Sequence, residues 1–338
     1  MNHSSSNPRR ILLAGGAGYI GSVVTNYLLN QGYQIRSFDH LLYENHCCVL
    51  PYLTHPQYEF VFGDIADKSA MSAVLEGITD VVIFAGLVGD PITKKYPEAS
   101  ERINTQGMQN IIQHLNNQNL TNVIFISTCS NYGLIKDTET ADESFELKPL
   151  SLYAKAKVAM EKELLSLEGK VDYSPTILRF ATAFGLSPRM RFDLTVNEFI
   201  REMYLGNELL VYDANTWRPY CHVQDFAKVI HEVLEAPQTQ TAFEVFNAGG
   251  EMNNFTKQNI VDTIRTFFPN TPVKYQKHGT DPRNYRVNFQ KIRKQLGFEP
   301  QYSIEDGVQE LVSSLQQKLF DRVEQQPNFY GNYSIKFP

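Results

Sequence analysis

Cysteine is scarce, with four in 338 residues at positions 47, 48, 129 and 221. Cys47 and Cys48 are adjacent and no CxxC spacing occurs, so neither a disulfide framework nor a zinc site is expected. A reducing cytoplasm is the simplest compartment for such a chain. Long apolar runs are also missing. Ile11-Leu12-Leu13-Ala14 is broken at once by glycine, short of the roughly 7–15 apolar residues of a signal-peptide core. No run of about 20 apolar residues follows that would span a bilayer. Positive charge is not in excess: 31 Lys and Arg stand against 37 Asp and Glu, a net −6. That balance gives no footprint for nucleic acid or an anionic membrane. Glycine (20) and proline (16) are too few for collagen-like or low-complexity readings.

What is present suits a packed protein, with 42% hydrophobic and 20% charged residues. At 338 residues the chain fits two lobes or one large α/β domain. The polar start, MNHSSSNPRR, reads as a frayed tail. From there, short apolar runs at 11–14, 34–38, 58–62, 81–85, 123–127 and 176–180 alternate with helical patterns at 19–30, 68–75, 98–116 and 151–167. Continuous apolar strands separated by helices predict a doubly wound parallel sheet covered on both faces, the Rossmann-type α/β class. Beyond about residue 185 helices recur at 194–204, 223–234, 257–267 and 303–320, with short irregular strands between them. This half reads as a smaller α/β lobe over the carboxyl edge of the sheet. The expected division is 1–180 and 181–338, with segments such as 218–248 packing back on the first part.

Three patterns carry chemistry. Gly15, Gly18 and Gly21 lie between the first strand and first helix, where glycine permits a tight turn and close approach of a pyrophosphate to a helix N-terminus. Asp39 ends the second strand 18 residues beyond Gly21, near the spacing of about 20 at which an acid accepts a ribose 2′-hydroxyl. A carboxylate there repels a 2′-phosphate and favours NAD over NADP. Tyr153 and Lys157 form a YxxxK pair, one helical turn apart on one face. A free phenol, with a pKa of about 10, is a poor base, and a neighbouring ammonium is expected to make it more acidic. Thr128 leaves the carboxyl end of the fifth strand, where α/β sheets bind ligand. Each pattern alone also fits a structural turn or an exposed helix face; their order on successive elements is what joins them.

These residues resemble the extended short-chain dehydrogenase/reductases, specifically the NAD-dependent nucleotide-sugar epimerase/dehydratase family. GGAGYIG, FGDIAD, VVIFAGLVGDP, STCSNYG, ILRFATAFG, WRPYCHVQD and DPRNYRV carry the likeness through nearly the whole chain. The resemblance implies that Thr128, Tyr153 and Lys157 are catalytic. It implies that Gly15, Gly18, Tyr19, Ile20, Gly21, Asp39, Asp64, Ile65, Phe84, Ala85, Gly86 and Asn104, with Tyr153 and Lys157, bind NAD. Substrate binding by Thr128, Arg218 and Arg283 follows from the same likeness, with Arg189 and Arg191 as further candidates for gripping a nucleoside diphosphate. No metal is implied. It also implies a homodimer through the helices 98–116 and 151–167.

Departures matter as well. Ala14, Ile83 and Thr182 stand where the family often has Thr, His and Asn. The related 4,6-dehydratases carry Asp-Glu directly after the threonine, whereas this chain has Cys129-Ser130. The expected activity is therefore oxidoreduction at C4 of a nucleotide sugar, as a 4-epimerase. A 4-dehydrogenase or 4-keto reductase, or a non-catalytic NAD-binding scaffold, is the alternative. His222 and Asp225 are expected to be structural, Asp193 and Glu198 have no assigned pairing, and the aromatic tail (Phe329, Tyr330, Tyr333, Phe337) is expected to pack on a neighbouring surface rather than act as a lid.

Overall fold

A computed structural model describes residues 9–277, 281 and 283–336. Residues 1–8 of the tail expected at 1–10, Pro282 of DPRNY, and Phe337 lie outside these residues. Arg9 and Arg10, read as part of that tail, are anchored instead. Arg9 pairs with Asp80 at 2.6 Å and Glu235 at 2.8 Å, and Arg10 opens the first strand.

Seven parallel strands form the central sheet: β1 Arg10–Ala14, β2 Gln34–Asp39, β3 Tyr58–Phe62, β4 Asp80–Ile83, β5 Asn122–Thr128, β6 Pro175–Phe180 and β10 Val245–Ala248. Their order is β10-β6-β5-β4-β1-β2-β3. Alternate residues of each strand feed opposite cores. Ile11, Leu13, Ile124 and Ile126 enter one hydrophobic cluster, and Leu12, Ala14, Val123 and Phe125 the other. That two-sided burial is why the strands read as unbroken apolar runs.

Two smaller sheets complete the fold. One orders β11 (Asn254–Thr256), β9 (Trp217–His222) and β7 (Thr182–Phe184); the other pairs β12 (Val273–Gln276) with β8 (Leu209–Tyr212). The chain crosses back after β9. Helix Val223–Glu235 packs on helix Tyr19–Asn30, and β10 adds to the edge of the central sheet beside β6. His222 caps the first of these helices and meets Glu310 at 2.9 Å, while Asp225 accepts from the Gln301 and Tyr302 amides. Both are structural, as expected. Among the described residues no helix is long and apolar enough to cross a membrane.

Strand order reverses between β1 and β4, so their carboxyl ends splay apart and leave a crevice. Beside it lies a buried polar network. Glu161, on helix Leu152–Leu165, is held by Arg179 of β6 (2.8 Å), by Asn131 (2.8 Å) and by the Ser127 hydroxyl. Arg179 also donates to Tyr132, which donates to Asn247 of β10 at 2.7 Å. The Arg179 and Glu161 side chains are 5% and 2% exposed. Removing one partner strands the other's charge in the core. Glu161→Ala should therefore cost about 3–5 kcal/mol in equilibrium urea unfolding; a loss under 1 kcal/mol would show that water rescues Arg179.

Candidate active site

The turn after β1 is shaped by its glycines. Gly15 has φ +89°, and a Cβ there would sit 2.8 Å from the Ala85 amide nitrogen. A Cβ at Gly21 would collide with the Gly15 carbonyl oxygen. Helix Tyr19–Asn30 starts at Gly18 with no side-chain cap and no acid in its first turn. Its first amides therefore face the crevice unpaid by side chains, as an anion-binding helix end requires. Asp39, at the end of β2, accepts from the Ala17 amide at 3.0 Å and the Leu41 amide at 2.8 Å. These bonds fix the turn and leave lone pairs for a diol. Burial pushes the Asp39 carboxyl above its ordinary value, against these amides. The buried atoms His40 Nδ1 and Tyr43 Oη find no hydrogen-bond partner among the described residues. A cradle with no room for Cβ atoms, an uncapped helix end and unsatisfied polar atoms fit a dinucleotide.

The glycines named in this turn, Asp39, His40 and Tyr43 line one cavity of about 910 Å³, large enough for two sizeable ligands. Gly15, Gly18, Tyr19, Ile20, Gly21, Asp39, Asp64, Ile65, Phe84, Ala85 and Gly86 are in its wall. Asp64 is also paired with Arg102 at 2.8 Å. Tyr19 contributes backbone more than hydroxyl, since its Oη donates to the Gly185 carbonyl at 2.6 Å and clamps the two halves of the chain. Asn104 differs from expectation. Its amide closes a reciprocal pair with the Leu87 backbone (2.7 and 3.0 Å), so it braces the loop after β4 from behind the cavity wall. It sits where the helix 97–115 takes a π turn, Glu101–Gly107.

Thr128, Tyr153 and Lys157 line the same cavity, with Ser130 and Thr182. The Thr128 and Ser130 hydroxyls lie 2.5 Å apart. Cys129 points away, with Sγ against the Arg179 carbonyl at 3.1 Å, and burial pushes its thiol up. The electrostatics of the tyrosine differ from the sequence-based expectation. Burial holds the Tyr153 phenol above its ordinary value, and the cations pulling it down are Arg191 and Arg283. Lys157 lies 5.9 Å from the Tyr153 ring centre, donates from Nζ to the Ile126 carbonyl at 2.8 Å, and rests 4.6 Å over Phe125. Burial brings the ammonium down to about 7, with Glu161 opposing. A half-neutral lysine is a weak source of charge for its neighbour.

Arg218 and Arg283 share Asp281. Arg283 forks onto its carboxylate at 2.7 and 2.8 Å, and Arg218 lies 3.2 Å from it, 4.9 Å from the Tyr285 ring centre. Arg283 also lies 3.5 Å from Asp90, so two carboxylates offset the two guanidiniums, and Lys257 in the same wall supplies the net positive charge for a diphosphate. Arg189 is placed elsewhere. It stacks 4.2 Å from the Tyr43 ring centre and donates to Asn332 Oδ1 at 2.7 Å, on the Asp39 side of the cavity. Arg191 is forked by Asp193 at 2.9 and 2.6 Å.

Sequence reasoning gave no role in the site to Lys257, Asp90 and Asn332, and left Glu198 unassigned, yet all lie in the wall. Burial and then the neighbouring Glu202 and Asp193 push Glu198 up to about 7. Asn332 and Tyr333 come from the C-terminal segment: Tyr330 packs against Phe192 and Phe320 as expected of that tail, whereas Tyr333 departs from the expectation by lining the cavity. Asn332 additionally donates to the Val88 carbonyl at 2.8 Å. No local pattern marks these residues; helical spacing could have found only Glu161, one turn past Lys157. Among the described residues no cluster of His, Cys, Asp and Glu is placed to hold a metal ion.

The lysine gives a test. Unfolded, its ordinary value is 10.5; folded it is about 7, so the unfolded state binds the extra proton between those values and stability rises with pH there. Lys157→Met should leave the melting temperature of ligand-free protein equal or higher at pH 7, with the gain shrinking towards pH 10, by scanning calorimetry. A clear drop at pH 7 would show that the buried ammonium is stabilising.

Comparison with known proteins agrees with this geometry. Residues 11–249 match the model of the NAD dependent epimerase/dehydratase family. The low-salt glycan biosynthesis protein Agl12 of Haloferax volcanii is 28% identical over 89% of this chain and 97% of its own. A UDP-glucose 4-epimerase of Halalkalibacterium halodurans is 26% identical over 86% of this chain and 91% of its own. The crystal structure of a Bacillus anthracis dTDP-glucose 4,6-dehydratase in complex with NAD superimposes with a TM-score of 0.81 at 26% identity, covering 92% of this chain and 98% of that one. The chain is thus an enzyme of the NAD-dependent epimerase/dehydratase family, within the extended short-chain dehydrogenase/reductases.

Proposed function

We propose that the protein is a nucleotide-sugar 4-epimerase working with NAD, with residues 1–180 carrying the dinucleotide and 181–338 the nucleotide sugar. The observation that carries this reading is the single cavity shared by the glycine turn, Asp39, the Thr128–Tyr153–Lys157 set and the Arg218–Arg283 pair. The turn and Asp39 hold pyrophosphate and ribose, and the two arginines hold the sugar's diphosphate. Tyr153 Oη takes the proton of the C4 hydroxyl and returns one after the sugar has turned over. Thr128 Oγ1, set by the Ser130 amide at 3.1 Å, orients that hydroxyl. Lys157 anchors the dinucleotide's sugar near Tyr153. NAD, when bound, supplies the hydride acceptor and donor and adds positive charge beside the phenol.

The chemistry after Thr128 favours this over dehydration. Eliminating water from the sugar needs an acid and a base there, but Cys129 is a buried thiol facing Arg179 and Ser130 is a hydroxyl. A cavity closed on one side by the C-terminal segment favours a keto sugar that stays and is reduced in place. Relatives of this chain are named for either activity.

The test is a panel of UDP-, dTDP-, GDP- and CDP-hexoses. Isomer formation without NADH release is expected; net NADH release marks a dehydrogenase, and silence across the panel a scaffold. Tyr153→Phe should retain NAD binding while turnover falls by about 100-fold or more; near-normal turnover would remove the tyrosine from its role. We also propose a homodimer through the helices 97–115 and Leu152–Leu165, and light scattering should give twice the 38.6 kDa chain mass.

A further inference from the structure

Besides Glu198, whose carboxyl is pushed up by burial, three acids face the reacting end of the cavity, and two are already matched. Asp193 forks onto Arg191, and Asp281 forks onto Arg283. Asp90 is the third. Its Oδ2 lies 3.5 Å from Arg283, a charge contact too long for a hydrogen bond. Its Oδ1 is buried, yet finds no partner among the described residues. Buried acceptors without partners are rare in folded proteins, because each forfeits its hydration, and one at a cavity wall points to a ligand that completes it.

The position of Asp90 is also fixed. Gly89, at φ +117°, turns the chain into Asp90. Thr93 Oγ1 donates to the Gly89 carbonyl at 3.0 Å and the Asp90 carbonyl at 3.2 Å, and the neighbouring Val88 carbonyl is held by Asn332. A carboxylate on a braced loop is organised before its ligand arrives. Its charge reaches Tyr153, where it opposes ionisation of the phenol. It therefore lies near the bond to be oxidised, not at the Asp39 end.

We propose that Asp90 is a specificity-determining residue: its unpaired oxygen accepts a hydrogen bond from a hydroxyl of a neutral hexose lying against Tyr153, and its charge turns away sugars bearing a carboxylate. This rests on the nucleotide-sugar reading above and names the sugar class of the same site. A hydroxyl satisfies the stranded acceptor. A uronate places a second anion beside it, while the two nearest arginines are already forked by their own acids.

Binding to NAD-loaded protein tests this without relying on turnover. Calorimetry with UDP-glucose and UDP-glucuronate should show wild type preferring the neutral sugar by about tenfold or more, the scale of one unfavourable charge contact. In Asp90→Asn, which keeps the shape and an acceptor oxygen, the preference should fall to about threefold or less, chiefly through tighter uronate binding. Equal affinities in wild type, a preference for the uronate, no binding of either, or an unchanged ratio in Asp90→Asn would each overturn the proposal. Binding with the expected preference but no isomer from any hexose would instead count against the epimerase reading and leave the selectivity standing. Circular dichroism and NAD affinity of Asp90→Asn, both expected unchanged, separate a lost fold from an altered site.

Discussion

A single buried carboxylate ties the reactive parts of this protein to its scaffold. Glu161 sits on the helix that carries Tyr153 and Lys157, and it accepts from Ser127, the residue before Thr128. Asn131, just beyond Thr128, and Arg179 on the next strand complete its shell. The hydroxyl side and the phenol side of the site are therefore held to one charged group. Without its cation this arrangement would be untenable in so dry a place; with it, the strand end and helix are locked at a fixed separation.

The same contrast between matched and unmatched charge organises the cavity. Arg191 and Arg283 are each forked by an acid, Arg218 leans on an acid already in use, and the uncapped helix start offers amides without a carboxylate. Surplus positive character therefore gathers where phosphates belong. Near Tyr153 burial opposes ionisation of both the phenol and the lysine. The protein alone thus keeps the phenol protonated and weakens the hold of the lysine on its proton, and charge arriving with ligand shifts that balance.

Features built from neighbours in the chain were legible in the sequence, and features built from distant ones were not. The glycine turn, Asp39, and helix Tyr19–Asn30 were readable because sterics and periodicity act over a few residues. β10 lies in the segment 218–248 that was expected to pack back on the first half, but nothing local says that it does so as a strand beside β6. Helices Asp90–Lys95 and Gln290–Leu296 are too short to show a period. Arg189 was expected with the other arginines, but its partners lie some 140 positions away, beyond any motif. The environment of Lys157 also escaped: YxxxK shows that two side chains share a face, and says nothing of the Phe125 ring and Ile126 carbonyl that bury the ammonium.

Asn332 reaches back 244 positions to the Val88 carbonyl, and its side chain also receives Arg189. The wall of the cavity is therefore finished by a segment far along the chain from the strands that build the rest of it. Earlier in synthesis the sheet can assemble around its nearest-neighbour strands, but the pocket stays open and the Arg189 guanidinium unclaimed. Ligand capture is in this way deferred until the segment around Asn332 has been made and has docked.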